Sequence, residues 1–236
     1  MLTTNRTISG IPLLLVYRDS IEQSKERGTV LFLHGFSASK DVQKPDLDML
    51  AEEGFLLIGI DSWGHGDRQH PDFNNYFAYD SGYFDQRFIE VVKKTAIEIP
   101  SLIDELDEQN LIIPSKLGLV GISMGAFISY KVIVEETRIK CAALFIGSPN
   151  WGDSPESPHL FSEDIHPTAL LTLVAGKDAT VPPASAKALH HQLVPHYADS
   201  PNKLKLVEYP ESDHMMEEED WLDAMDNAKQ WLNQFI

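Results

Sequence analysis

Ser123 stands in the pentapeptide Gly121-Ile122-Ser123-Met124-Gly125, at the end of an apolar run and directly ahead of a helix-like one. A serine held on so sharp a turn needs small neighbours, because side chains at 121 and 125 would collide with the folded backbone and screen Oγ. A serine hydroxyl is a weak nucleophile at neutral pH. Acyl chemistry therefore needs an imidazole to take its proton and a carboxylate to orient that imidazole. Downstream, the apolar run 170–175 ends in Gly176-Lys177-Asp178, and the run 204–209 ends in Pro210-Glu211-Ser212-Asp213-His214. Serine, aspartate and histidine thus follow in order, each just beyond a strand-like run. Together such a set performs acyl transfer to water through an acyl-serine.

Groups so distant along the chain can meet only if the strands that carry them end at one edge. Short apolar runs alternate with helix-like segments from about position 29 onward, the pattern of parallel strands joined by crossover helices, so the fold class is α/β. The runs are 30–33, 55–60, 117–122, 142–146, 170–175 and 204–209, preceded by 6–9 and 12–17, which flank Gly10-Ile11 as an antiparallel hairpin on one edge. That predicts an eight-stranded, mostly parallel sheet with helices on both faces.

The longest helical pattern aligns Phe84, Phe88, Val91, Val92, Thr95, Ile99, Leu102 and Leu106 in one stripe for packing on the sheet, with Pro100 expected to bend or divide it. A closing helix aligns Leu222, Met225, Ala228, Leu232 and Phe235, with Asp220 as its cap. Two loop-like stretches, 63–81 and 148–167, follow strands and are rich in Gly, Pro, Asp, Asn and His with embedded aromatics. Ligands bind beyond the C-terminal ends of parallel strands. Phe36, Trp63, Trp151 and Phe161 are accordingly the candidates to line a pocket.

Composition removes several function classes. The 236 residues are 43% hydrophobic, enough to bury a core, and are read as a single domain over 1–236. A net charge of −17, from 36 acidic against 19 basic residues, repels phosphate backbones and anionic lipid, so no nucleic-acid or membrane partner is expected. The acidic run Glu217-Glu218-Glu219-Asp220 precedes a helix and complements its N-terminal dipole. The lone Cys141 has no partner within the chain for a disulfide and is assigned to core packing. The first residues lack a signal-like charge and apolar core, and no apolar stretch approaches the roughly 18 residues that span a bilayer, so a cytoplasmic location is expected. His65, Asp67 and His70 lack a convincing third metal ligand, and no metal or cofactor is expected.

The chain resembles the α/β-hydrolase superfamily, and within it the small bacterial serine esterases related to dienelactone hydrolases and to prolyl oligopeptidase catalytic domains. The resemblance rests on the Ser123 pentapeptide, Leu33-His34-Gly35-Phe36, Asp61-Ser62-Trp63-Gly64-His65-Gly66-Asp67-Arg68, Gly176-Lys177-Asp178 with Val181-Pro182, and Ser212-Asp213-His214. It implies Ser123 as nucleophile, His214 as general base and then acid, Asp178 as the orienting carboxylate, and an oxyanion hole from the backbone N–H groups of Phe36 and Met124. Asp213 is adjacent to His214 and is read as a turn residue, while His34 and Arg68 are read as fixing loop conformation. Dienelactone hydrolases themselves use cysteine, so a serine at 123 departs from them and favours ester chemistry.

Only about 20 residues separate the sixth strand from position 170, where larger relatives insert a cap domain. The resemblance therefore implies an open, modest pocket for a small-molecule ester with a short acyl chain. A peptidase or thioesterase of the same fold is the alternative within that chemistry. A weakly catalytic or non-catalytic ligand-binding protein of hydrolase shape is the alternative outside it. A nucleotide-binding domain lacks its Gly-rich turn after the first strand. A homodimer is the assembly left open.

Overall fold

A computed structural model describes residues 1–236. Its centre is one eight-stranded sheet in the order β1-β2-β4-β3-β5-β6-β7-β8. The strands are β1 (Leu2–Ile8), β2 (Ile11–Tyr17), β3 (Thr29–Leu33), β4 (Leu56–Ile60), β5 (Leu117–Ile122), β6 (Ile139–Phe145), β7 (Ala169–Ala175) and β8 (Leu204–Tyr209). β2 pairs antiparallel with β1 and β4, and every later pairing is parallel. The hairpin turn falls on Ser9-Gly10 rather than Gly10-Ile11. Both residues have positive φ, 51° and 77°, as a tight two-residue hairpin turn requires.

Helices α1 (Ile21–Arg27), α2 (Lys44–Ala51), α3 (Phe73–Tyr76), α4 (Phe84–Glu108), α5 (Met124–Glu135), α6 (Ala184–Leu193) and α7 (Glu218–Phe235) complete the chain. The central strands are buried on both faces, and successive side chains enter opposite cores. Leu31 and Leu33 join α4, α5 and α6 in one cluster, whereas Val30 and Phe32 join α2 and α7 in the other. Cys141 is buried in the second cluster.

Three expectations need correction. Pro100 does not divide α4, which runs unbroken from Phe84 to Glu108. Packing of Ile99, Leu102 and Ile103 in the core outweighs the single backbone hydrogen bond that a proline removes. The closing helix begins at Glu218 with Glu217 in the capping position, and Asp220 lies in its first turn, where its carboxylate accepts from Ser212 Oγ. Leu222 is 46% exposed, and the buried face is instead Ala224, Met225, Ala228, Trp231 and Leu232.

The length of α4 matters for the site. Twenty-five helical residues span roughly 37 Å, whereas a five- to seven-residue strand spans only about 16–24 Å. Its first turns, at Phe84 and Phe88, stand around the same hollow as Ser123 at the C-terminal end of β5, and so overhang that edge of the sheet.

Candidate active site

β5 is flanked by β3 and β6 in mid-sheet, and Ser123 sits on the turn between it and α5. The serine adopts φ 50° and ψ −113°, a backbone conformation costly for a residue with a side chain. Its N–H donates to Phe145 O at 2.9 Å, tying the turn to the adjacent strand. The flanking glycines are obligatory here. A Cβ on Gly125 would lie 2.0 Å from Leu33 O, and one on Gly121 would lie 2.4 Å from Ser129 Oγ and 2.5 Å from Gly125 O.

Asp178 and His214 come from the loops after β7 and β8. These loops are tied together, with Gly176 N–H donating to Tyr209 O at 2.7 Å and Lys177 N–H donating to Ser212 O at 2.8 Å. Gly176 permits the approach, since a Cβ there would lie 2.6 Å from Pro210 O. The Asp178 side chain is 1% exposed, and its Oδ1 accepts from Thr180 N at 2.9 Å and Val181 N at 2.7 Å. Its other oxygen, Oδ2, lies 2.6 Å from His214 Nδ1. A carboxylate only accepts, so Nδ1 carries the hydrogen and Nε2 presents a lone pair. Ser123 Oγ donates to that Nε2 at 3.0 Å. The structure thus brings the three sequence-selected residues into one chain of contacts. Asp213 points elsewhere, its Oδ1 accepting from Met215 N at 2.9 Å.

Two backbone donors flank the serine. Met124 is the first residue of α5, where an N–H has no acceptor one turn back within the helix. Phe36 N–H donates to no protein acceptor. The Phe36 loop is pinned from behind. His34, fully buried, donates from Nδ1 to Gly35 O at 2.8 Å and accepts at Nε2 from Ser62 N–H at 3.0 Å. Burial holds the His34 pKa below its ordinary value, which preserves the neutral ring this double role requires. Gly35 N–H donates to Gln43 Oε1 at 2.8 Å. Arg68, in the loop after β4, pairs with Glu98 of α4.

Phe36 itself is boxed by aromatic rings, with centroids 5.1 Å from Phe77, 5.2 Å from His65 and 5.4 Å from Phe84. His65 is buried in this box. Desolvation pushes its pKa down to about 4, so it stays neutral.

The serine and histidine open into a cavity of about 980 Å³. Phe36 and Trp151 line it, as the sequence suggests, but Trp63 and Phe161 do not. Trp63 is held outside by Lys94, whose Nζ lies 3.7 Å from the ring centroid, and Phe161 packs outside beneath Lys131. Their places are taken by Phe84, Phe88 and Phe127 on one side and by Met216 and Trp221 on the other. Phe84 and Phe88 belong to the overhanging turns of α4, so a stripe expected to pack wholly on the sheet also builds the pocket wall. The cavity is larger than the modest one expected. Short loops omit a cap domain, but the first turns of α4 supply a wall in its place.

A sequence profile of the dienelactone hydrolase family matches residues 20–235. The chain belongs to the dienelactone hydrolase family. Among its relatives is the Bacillus subtilis protein YitV, whose name assigns it provisionally to the esterases. It is 25% identical over 242 residues, covering 89% of this chain and 91% of YitV. The Escherichia coli esterase YjfP is 26% identical over 144 residues, covering 61% of this chain and 54% of YjfP. Among solved structures, TT1662 from Thermus thermophilus superposes with a TM-score of 0.80 at 23% identity, over 98% of this chain and 99% of that one. A cold-adapted esterase from an Arctic intertidal metagenomic library superposes with a TM-score of 0.73 at 19% identity, over 99% and 93%. These likenesses place the fold among the α/β-hydrolases, and the family makes the chain a hydrolase of the esterase kind. No helix is long and apolar enough to cross a membrane.

Proposed function

We propose that this dienelactone hydrolase family member is a serine carboxylesterase that hydrolyses short-chain acyl esters through an acyl-Ser123 intermediate. The observation that carries the reading is the unbroken contact chain from Ser123 Oγ to His214 at 3.0 Å and from His214 to Asp178 at 2.6 Å, opening into a substrate-sized cavity. In this reading His214 Nε2 takes the Ser123 proton as Oγ attacks the ester carbonyl. The N–H groups of Phe36 and Met124 receive the negative charge that develops on the carbonyl oxygen. The tetrahedral adduct collapses, the alcohol leaves with the proton from His214, and water activated at Nε2 then releases the acid. Asp178 keeps the imidazole in the tautomer that accepts from serine and steadies it when it is charged.

The short acyl preference is supported by Phe36, whose ring is locked among Phe73, Phe77, Phe84 and Phe88 beside the reacting serine. A fluorophosphonate probe is expected to label the parent and neither Ser123→Ala nor His214→Ala. Equal labelling of Ser123→Ala would remove the serine mechanism. Hydrolysis of esters with one alcohol and graded acyl length is expected to peak between acetyl and butyryl, and a maximum at palmitoyl would overturn that part.

A further inference from the structure

The cavity around Ser123 carries charge of one sign. Asp46, Asp85 and Glu218 contribute acidic side chains to its lining, which includes no lysine or arginine. Asp46 lies in the wall, its Oδ1 accepting from Trp221 Nε1 at 3.1 Å and its Oδ2 lying 3.5 Å from Gln43 Nε2. Glu218 opens α7 and Asp85 lies in the first turn of α4, so acidic groups reach the rim from helices on both faces of the sheet. An adjoining hollow shares Asp85, Ile89 and Trp151 with the cavity and does contain two lysines. Both are engaged, Lys93 with Glu156 at 3.4 Å and Lys94 with Glu90 at 2.7 Å. Asp153 adds a further carboxylate there.

Shape and surface chemistry point the same way. A four-carbon acyl group fills only a small part of about 980 Å³, and a pocket of such size suits a drug-sized ligand. Tyr79 and Met215 are exposed on its lip, and Phe84, Phe88 and Trp221 present aromatic surface within. Aromatic faces attract cations and offer nothing to an anion. A cleft lined by one sign of charge focuses that potential on the entering ligand.

We infer that the ester carries a bulky apolar group with no negative charge, and that a positively charged group on this portion is favoured, as in the ester of an aromatic or ammonium-bearing alcohol. The inference rests on the esterase reading above and specifies its substrate class. A carboxylate-bearing ester would face three acidic side chains with no lysine or arginine in the lining to pair with it.

Three acetate esters provide the test: 4-tert-butylbenzyl acetate, its cationic isostere 4-(trimethylammonio)benzyl acetate, and 4-carboxybenzyl acetate, whose charged group is smaller than either and so excluded by no steric limit that admits them. The methylene separates the charged group from the leaving oxygen, so intrinsic reactivity is closely matched. At low ionic strength kcat/KM is expected to be highest for the ammonium ester and about tenfold or more below the neutral ester for the carboxylate. Added salt should narrow both gaps, because the rim charges are exposed. The double variant Asp85→Asn/Glu218→Gln should raise the carboxylate ester relative to the neutral one. Turnover of the carboxylate ester on a par with the neutral ester at low salt overturns the inference while leaving the esterase reading intact. Failure to cleave any of the three, with Ser123 unlabelled by fluorophosphonate, would instead bring down the esterase reading and this inference with it.

Discussion

Lys40 Nζ lies 2.9 Å from the Asp61 carboxylate, and both side chains are within 1% of full burial. Asp61 also accepts from Lys40 N–H at 2.9 Å and Asp67 N–H at 2.8 Å, so one carboxylate joins the Phe36 loop to the loop after β4. Burial alone would lower the lysine pKa, but hydrogen bonds to Asp41, Asp67 and Asp61 overcome it and hold the ammonium above its ordinary value. Gly66 completes the arrangement, since a Cβ there would meet the Asp61 carboxylate at 2.1 Å.

Removing one partner from such a pair leaves a buried charge uncompensated. Lys40→Met is expected to cost about 3 kcal/mol in urea unfolding. Lys40→Met/Asp61→Asn should lose less than the sum of the two single variants, since the groups are in direct contact. Strict additivity would show that the pair is not coupled in the folded state.

Asp178→Asn keeps the shape of the acid but changes what it offers His214. With Oδ1 still facing the Thr180 and Val181 N–H groups, the amide nitrogen replaces Oδ2 and donates to Nδ1, which moves the ring hydrogen to Nε2. Ser123 then has no base. A fall in kcat of about four orders of magnitude is expected, with KM little changed. A loss below about tenfold would mean that another group orients His214.

The sheet and the contact chain of Ser123, His214 and Asp178 were legible because they depend on local signals: apolar runs set the strands, and motif residues sit at their ends. Gly121 and Gly125 read correctly for the same reason, as their roles are fixed by a turn within five residues. Pocket walls were legible only in part, at Phe36 and Trp151 but not at Phe84, Phe88, Phe127 or Trp221. Whether Phe84 and Phe88 face the sheet or the cavity depends on how far α4 overhangs the strands, and helical periodicity says nothing about that offset. Trp63 and Trp221 show the same limit. One is drawn outward by Lys94, while the other is brought in by α7 packing beside α2, where Asp46 receives its indole N–H. A tryptophan seven residues beyond His214, one turn into a helix, was the available signal for the second.

The conformation of Ser123 makes activity and stability separable. At φ 50° and ψ −113° a side-chain-bearing residue stores roughly 1–3 kcal/mol of strain. Glycine relieves that strain but loses more backbone freedom on folding, by about 0.5–1 kcal/mol. Ser123→Gly is therefore expected to be inactive yet more stable than Ser123→Ala by about 1 kcal/mol in chemical denaturation. A Ser123→Gly variant less stable than Ser123→Ala by about 0.5–1 kcal/mol would mean that the turn is unstrained.

Acid should weaken the fold through His65. Its pKa is lowered from 6.5 to about 4 by burial, so between those values the unfolded chain takes up a proton that the native ring refuses. No difference in binding exists above pH 6.5, and stability falls as pH drops from there toward about 4, below which both states are protonated. The window of roughly 2.5 units corresponds to a loss of about 3 kcal/mol from this ring. His34, depressed in the same direction by burial, adds to the trend. His65→Phe keeps an aromatic ring beside Phe36, Phe73 and Phe77 while removing the titrating group, and its Nε2 has no hydrogen-bond partner to lose. The variant should give up the bond between Nδ1 and Trp63 O, yet show a shallower decline in unfolding free energy from neutral pH to about pH 4. Parallel declines for the parent and the variant would place the acid sensitivity elsewhere in the protein.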